Sequence, residues 1–171
     1  MQLELCVQDY FDDSQSEFVN TGDIDARITT ETWENWFEHW LSMLLEYLPS
    51  ASAYEIALRL TDDKEIQKLN AQYRQQDKPT DVLAFAALEV DSPLPAFDIP
   101  LYLGDIVVSI DTAIIQAEQQ NHPLSTELAW LSAHGLLHLL GWDHPDDESL
   151  SRMLEQQVIL LKSVGVPIDI E

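Results

Sequence analysis

The chain has 171 residues, with 31 Asp plus Glu against 8 Lys plus Arg, a formal charge of −23 and 46% hydrophobic residues. That apolar content excludes a disordered acidic tail and suits one buried core in a single domain, residues 1–171. No window reaches the roughly 18 apolar residues of a membrane span, and the opening MQLELCVQDY lacks the regions of a signal peptide, so a cytoplasmic protein is expected.

The first predicted element is a strand over Leu3 to Val7, followed by an acidic loop from Asp9 to about Asp25. Thr29 or Thr30 then caps a helix. Its apolar residues are Trp33, Trp36, Phe37, Trp40, Leu41, Leu44, Leu45 and Leu48, the three-and-four spacing of a buried stripe. That regularity makes the tryptophans core rather than a ligand box. Tyr54, Ile56, Leu58 and Leu60 alternate with Glu55, Ala57 and Arg59, a strand with one buried face. Thr61 or Asp62 caps the next helix, which runs to about Tyr73. Asp77 to Thr80 is a loop, and Val82 to Ala86 a short apolar strand. Residues 91–100 form a loop punctuated by Pro93, Pro95 and Pro100. Leu103 to Ile110 is a strand interrupted by Gly104, and Asp111 opens a helix to about Gln120. The helix from Pro123–Ser125 to Leu140 is apolar almost all round, so it is central and buried, and Gly141 ends it. A last helix spans about Asp147 to Lys162, with Leu150, Met153, Leu154, Val158 and Leu161 inward. Strands mixed with helices, joined by connections too long for hairpins, predict an α+β or α/β layered domain around one sheet.

The charge is unevenly spread. Residues 1–55 hold twelve acids and one base, Arg27, and residues 81–171 hold fifteen acids and two bases. Residues 59–78 hold five bases, Arg59, Lys64, Lys68, Arg74 and Lys78, against four acids. The bulk charge repels nucleic acid, so an anion approaches at that stretch.

A single cysteine, Cys6, excludes an internal disulfide and a multi-cysteine metal site. His134 and His138 lie four apart on the central helix, one turn apart on one face. Gly141 suits the left-handed turn that brings His144 back toward them. Three imidazoles converging from a helix and the loop after it form a catalytic zinc arrangement, with a fourth position open to water. Three unrelated histidines would leave unpaired imidazoles on an otherwise apolar face, at a loss of hydration. His39 and His122 have no partners at ligand spacing. The spacing also overlays the zinc-protease pattern His-Glu-x-x-His-x-x-Gly-x-x-His, except that Gly135 stands where that pattern has its general base. Asp143, beside a ligand, reads as an acid that orients an imidazole or accepts a proton, or as a loop acid capping a turn.

The run His134-Gly-Leu-Leu-His-Leu-Leu-Gly-Trp-Asp-His144 closely resembles the signature of the YbeY family of bacterial rRNA maturation endoribonucleases. Leu69-Asn70-x-x-Tyr73-Arg74 with Asp77-Lys78-Pro79-Thr80-Asp81-Val82-Leu83 resembles that family's second marker, and Leu103-Gly104-Asp105-Ile106 its third. Ala84-Phe85-Ala86 departs from a usual Ser-Phe-Pro, and Trp142 from a usual Tyr. The similarity covers about 54–162; residues 1–53, an N-terminal strand and amphipathic helix, match in layout. The resemblance implies a single-domain α+β fold, read here as one small mixed sheet with about five helices. It implies one zinc ion on His134, His138 and His144 and an arginine facing it at Arg74; we expect Arg74 and His134 to be the catalytic residues. Arg74 and Lys78 are then the substrate contacts. The implied activity is cleavage of single-stranded RNA in maturation of the small-subunit rRNA 3′ end and in ribosome quality control, with the ribosome or its small-subunit proteins as partners.

The residue chemistry agrees. Zinc lowers the pKa of bound water to roughly 7, and a guanidinium offers parallel donors to the charge that grows on an attacked phosphodiester. Lys64 and Lys68 either track the RNA backbone or form a solvated face. Two other classes stand beside this one. A metallohydrolase of another substrate, peptidase-like, is opposed by Gly135 and by the basic strip. A zinc-containing, non-catalytic ribosome-assembly factor is opposed by the open fourth position.

Overall fold

The computed structural model describes residues 2–10, 28–87 and 99–168. Most of the acidic loop after Asp9, and Pro93 and Pro95 of the loop 91–100, lie outside the described residues. Within them stand four strands and five helices: β1 (Gln2–Asp9), α1 (Thr30–Met43), β2 (Ala53–Thr61), α2 (Asp63–Arg74), β3 (Val82–Ala86), β4 (Leu101–Ser109), α3 (Ile110–Gln120), α4 (Leu124–Leu139) and α5 (Asp147–Ser163). The fold is α+β, with one small mixed sheet. Its order is β1-β2-β4-β3, parallel except for β3 against β4. No described helix is long and apolar enough to cross a membrane.

The helices start where side chains can satisfy amides that lack an intrahelical partner. Thr29 accepts from the Thr32 N–H and caps α1, and Asp62, not Thr61, accepts from the Glu65 N–H and caps α2. Alternation then sorts the sheet. Ile56, Leu58 and Leu60 of β2 and Ile106 and Val108 of β4 face α1, α3, α4 and α5 in the main core. Leu103 joins them because the register slips by one residue where Ile56 pairs with Gly104. Gly104 sits at φ +139°, and a Cβ there would run into the Phe85 carbonyl. The other face carries a small cluster, Ile66, Leu83 and Val107 with Leu69 and Phe85, under α2 among the described elements.

Trp33, Phe37, Trp40 and Leu41 of α1 are core, as expected, and Trp40 Nε1 donates to the Leu160 carbonyl at 2.8 Å. Burial of a side chain such as Phe37 or Leu41 contributes about 1.5–3 kcal/mol. Leu45 is a correction: it is 47% exposed. The α-helix stops at Met43 and the chain tightens into a 3-10 turn, Leu45–Tyr47, whose three-residue period breaks the stripe. Leu150, in the first turn of α5, is also exposed rather than inward. The buried face of α5 is Met153, Gln157, Leu160 and Leu161, one polar side chain among apolar ones.

Candidate metal centre

Helix α4 is buried between α3, α5 and the β3–β4 edge of the sheet. Gly135 permits that approach, since a Cβ there would stand 2.7 Å from Ile106 Cγ2. The position at which the zinc-protease pattern carries glutamate thus faces the sheet and has no room for a side chain. The helix ends in a Schellman turn. Gly141 takes φ +93°, its N–H donates to the His138 carbonyl at 3.0 Å, and the Trp142 N–H donates to the Leu137 carbonyl at 3.0 Å.

That reversal returns His144 to the helix. Ring centroids lie 4.6 Å apart for His134 and His138, 5.7 Å for His134 and His144, and 5.5 Å for His138 and His144. One ligand nitrogen from each lies within 4.8 Å of the others, so the three form a group able to hold a metal ion. His134 Nδ1–H donates to Gln157 Oε1 at 3.0 Å, which leaves a lone pair on its Nε2. That Nε2 faces His138 Nε2 at 3.0 Å. Burial lowers the pKa of both rings; for His138 repulsion from His134 and His144 adds to it and the value falls to about 4. Both are therefore neutral near pH 7, the form that binds metal. Neutral imidazoles with converging lone pairs fit a transition-metal ion, zinc among them.

A cleft of about 480 Å³ opens over His134 and His138, with Arg74, Asp81, Ala84, Trp142 and Asp143 among its other walls. Arg74 reaches it from the end of α2, on the far face of the sheet, by passing round the edge strand β3. Its Nη2 donates to the Ala84 carbonyl at 2.6 Å, and its guanidinium lies 5.4 Å from the Phe85 ring centroid. Lys78 is exposed and does not line this cleft; its carbonyl accepts from Asn70 Nδ2 at 2.9 Å. Arg59, counted with the basic strip, is withdrawn from it. Its guanidinium pairs with both Glu65 oxygens at 2.6 and 2.7 Å and lies 4.0 Å from the Tyr10 ring centroid.

Asp143 Oδ1 accepts from the His144 N–H at 2.8 Å, the turn-capping alternative, while the residue also lines the cleft. Two residues had no assigned role from sequence. Asp81 lines the cleft, with Oδ1 accepting from the Val82 N–H at 2.7 Å and Oδ2 from Gln116 Nε2 at 3.3 Å. Gln157 touches His134. The available signals were an acid directly after Pro79-Thr80 and a polar break in the inward stripe of α5. His39 is exposed and His122 pairs with Glu127 at 2.6 Å; neither joins the metal-holding group.

The family profile described as Endoribonuclease YbeY matches residues 18–165. The protein named Endoribonuclease YbeY from Trichormus variabilis is 64% identical over 173 residues, spanning 99% of this chain and 98% of that one. Its namesake from Trichodesmium erythraeum is 54% identical, spanning 96% and 94%. The solution structure of TM1509 from Thermotoga maritima is similar with a TM-score of 0.53 at 26% identity, over 94% of this chain and 89% of that one.

Proposed function

The chain belongs to the YbeY family of endoribonucleases, and from that we propose that it cuts single-stranded ribosomal RNA with a zinc ion held by His134, His138 and His144 and the scissile phosphate held by Arg74. The protein is a hydrolase of the endoribonuclease class, and RNA is its substrate. One observation supports the finer reading most: three imidazole nitrogens lie within 4.8 Å of one another, and two of those rings, His134 and His138, line a cleft with the Arg74 guanidinium.

A bound zinc supplies Lewis acidity and an activated water near neutral pH. His134 and His138 stay neutral and present Nε2 as ligand atoms. Arg74, tethered to Ala84, offers its remaining N–H groups to phosphate oxygens whose charge grows during attack. Asp81, with both oxygens held, is fixed in place on the wall of the same cleft. Lys78 stands outside the cleft, where it meets the RNA backbone beyond the cut. The cellular role in this reading is maturation of the small-subunit rRNA 3′ end and ribosome quality control in the cytoplasm, with small-subunit proteins as partners.

Single-turnover assays on single-stranded RNA and on a peptide, each with and without chelator, test the proposal. RNA cleavage that chelator removes and zinc restores is expected. Chelator-insensitive cleavage, or hydrolysis of the peptide instead, would sink it.

A further inference from the structure

Gln157 is the one polar side chain on the buried face of α5, and it is 0% exposed. A buried amide costs free energy unless its groups find partners. Here both ends do. Nε2 donates to the Trp130 carbonyl at 3.3 Å, and Oε1 accepts from His134 Nδ1–H at 3.0 Å. Trp130 precedes His134 by one turn of α4, so a single side chain from α5 bridges the backbone of one turn and the imidazole of the next.

The bridge has a direction. A backbone carbonyl only accepts, so the amide nitrogen must face Trp130 and the amide oxygen must face the ring. An oxygen opposite Nδ1 requires the proton there. The lone pair of His134 is then on Nε2, the atom 3.0 Å from His138 Nε2. We infer that Gln157 is a positioning residue of the metal centre: anchored on the Trp130 carbonyl, it holds His134 as the Nδ1–H tautomer with Nε2 aimed at the ion. The inference rests on the three-histidine reading above. The orienting group is moreover a neutral amide. A carboxylate in its place would make the imidazole a more basic ligand, but would set an oxygen against the Trp130 carbonyl.

The test is zinc affinity, measured by competition with a chromophoric chelator, for Gln157→Leu and Gln157→Glu. Leucine fills the apolar space and removes the acceptor; glutamate keeps the acceptor and loses the donor to Trp130. The positioning role predicts that Gln157→Leu weakens zinc binding by about 10–100-fold, the usual cost of losing such an outer partner, while Gln157→Glu stays within about tenfold of wild type. A packing role predicts the reverse order, with leucine harmless and glutamate disruptive. Gln157→Met replaces the leucine variant if that variant does not fold. Nitrogen-15 imidazole spectra of chelator-treated protein give a second readout, with His134 Nδ1–H in the wild type and a tautomer mixture in the leucine variant. Wild-type zinc affinity and an unchanged His134 tautomer in Gln157→Leu would overturn the inference. A wild type that binds no zinc would remove the metal reading instead, and the tautomer spectra would still decide what Gln157 does.

Discussion

The Nε2 atoms of His134 and His138 face each other at 3.0 Å, one turn apart on α4. With the His134 proton held on Nδ1, that atom offers only a lone pair, and a cation between the rings satisfies both. Replacing His138 by Ala should therefore abolish stoichiometric metal while α4 persists. Metal analysis with circular dichroism checks this; a folded His138→Ala protein with a full metal equivalent would contradict the site.

Arg74 lines the same cleft as His134 and His138, and its hydrogen bond goes to the Ala84 carbonyl rather than to either ring. Its loss should leave metal content and folding unchanged. Arg74→Ala is expected to lower single-turnover RNA cleavage by about 10²-fold or more, the usual cost of removing a charge-stabilising donor. Arg74→Lys should recover only part of the loss, since an ammonium cannot make the paired contact. Turnover at the wild-type level in Arg74→Ala would exclude the role.

Gly135 sets how closely α4 approaches β4. Alanine at a helix interior normally gains about 1 kcal/mol over glycine. Here the new methyl meets Ile106 Cγ2 at 2.7 Å, on a fully buried, β-branched and hence stiff side chain. Overpacking costs about 1–3 kcal/mol, so Gly135→Ala should be net destabilised and Gly135→Glu should not fold. Thermal unfolding decides; a Gly135→Ala protein more stable than wild type would show that the sheet yields.

Glu127 is buried beside His122, and its carboxyl is held above its ordinary pKa of 4.5 by burial, with the Asp81 charge adding to it. The folded state then binds this proton more tightly than the unfolded state does. The contribution favours folding below about pH 4.5 and is lost as pH rises through the folded value. Glu127→Gln removes the titration and keeps a hydrogen-bonding side chain. Its melting temperature relative to wild type should climb as pH rises past 4.5 toward neutrality; a constant offset across that range would refute the assignment.

The net charge of −23 limits binding to free RNA. With Arg59 paired to Glu65, Arg74 is the cation among the described walls of the cleft, opposite Asp81 and Asp143. Few phosphates are neutralised together, so log affinity against log salt should fall with a slope of about −2 or shallower, given roughly −0.7 per contact on single strands. Fluorescence anisotropy on a single-stranded oligonucleotide through a salt series measures it. A slope several-fold steeper would mean a cationic surface elsewhere.

Local features were legible from the amino-acid order because their physics is local. The caps, narrowed to Thr29 or Thr30 and to Thr61 or Asp62, the stripe of α1, the Gly141 stop and the pairing of His134 with His138 depend on neighbours within about one turn of helix. The resemblance added the expected place of Arg74. What only the tertiary structure decided depends on which face of the sheet each element covers. Arg59 and Arg74 look alike in one basic strip, yet Arg59 points to the outer face and meets Glu65, while Arg74 rounds the β3 edge into the cleft. Leu45 falls outside the core because a helix end, not the hydrophobic period, sets its direction. Along the chain Gly135 shows only as a missing glutamate; in the fold, Ile106 of β4 occupies the space beside it. Gln157 reaches His134 across 23 residues of chain, because α5 packs back on α4. Strand order and helix packing are set by the joint burial of many side chains, so these contacts have no periodic signature along the chain.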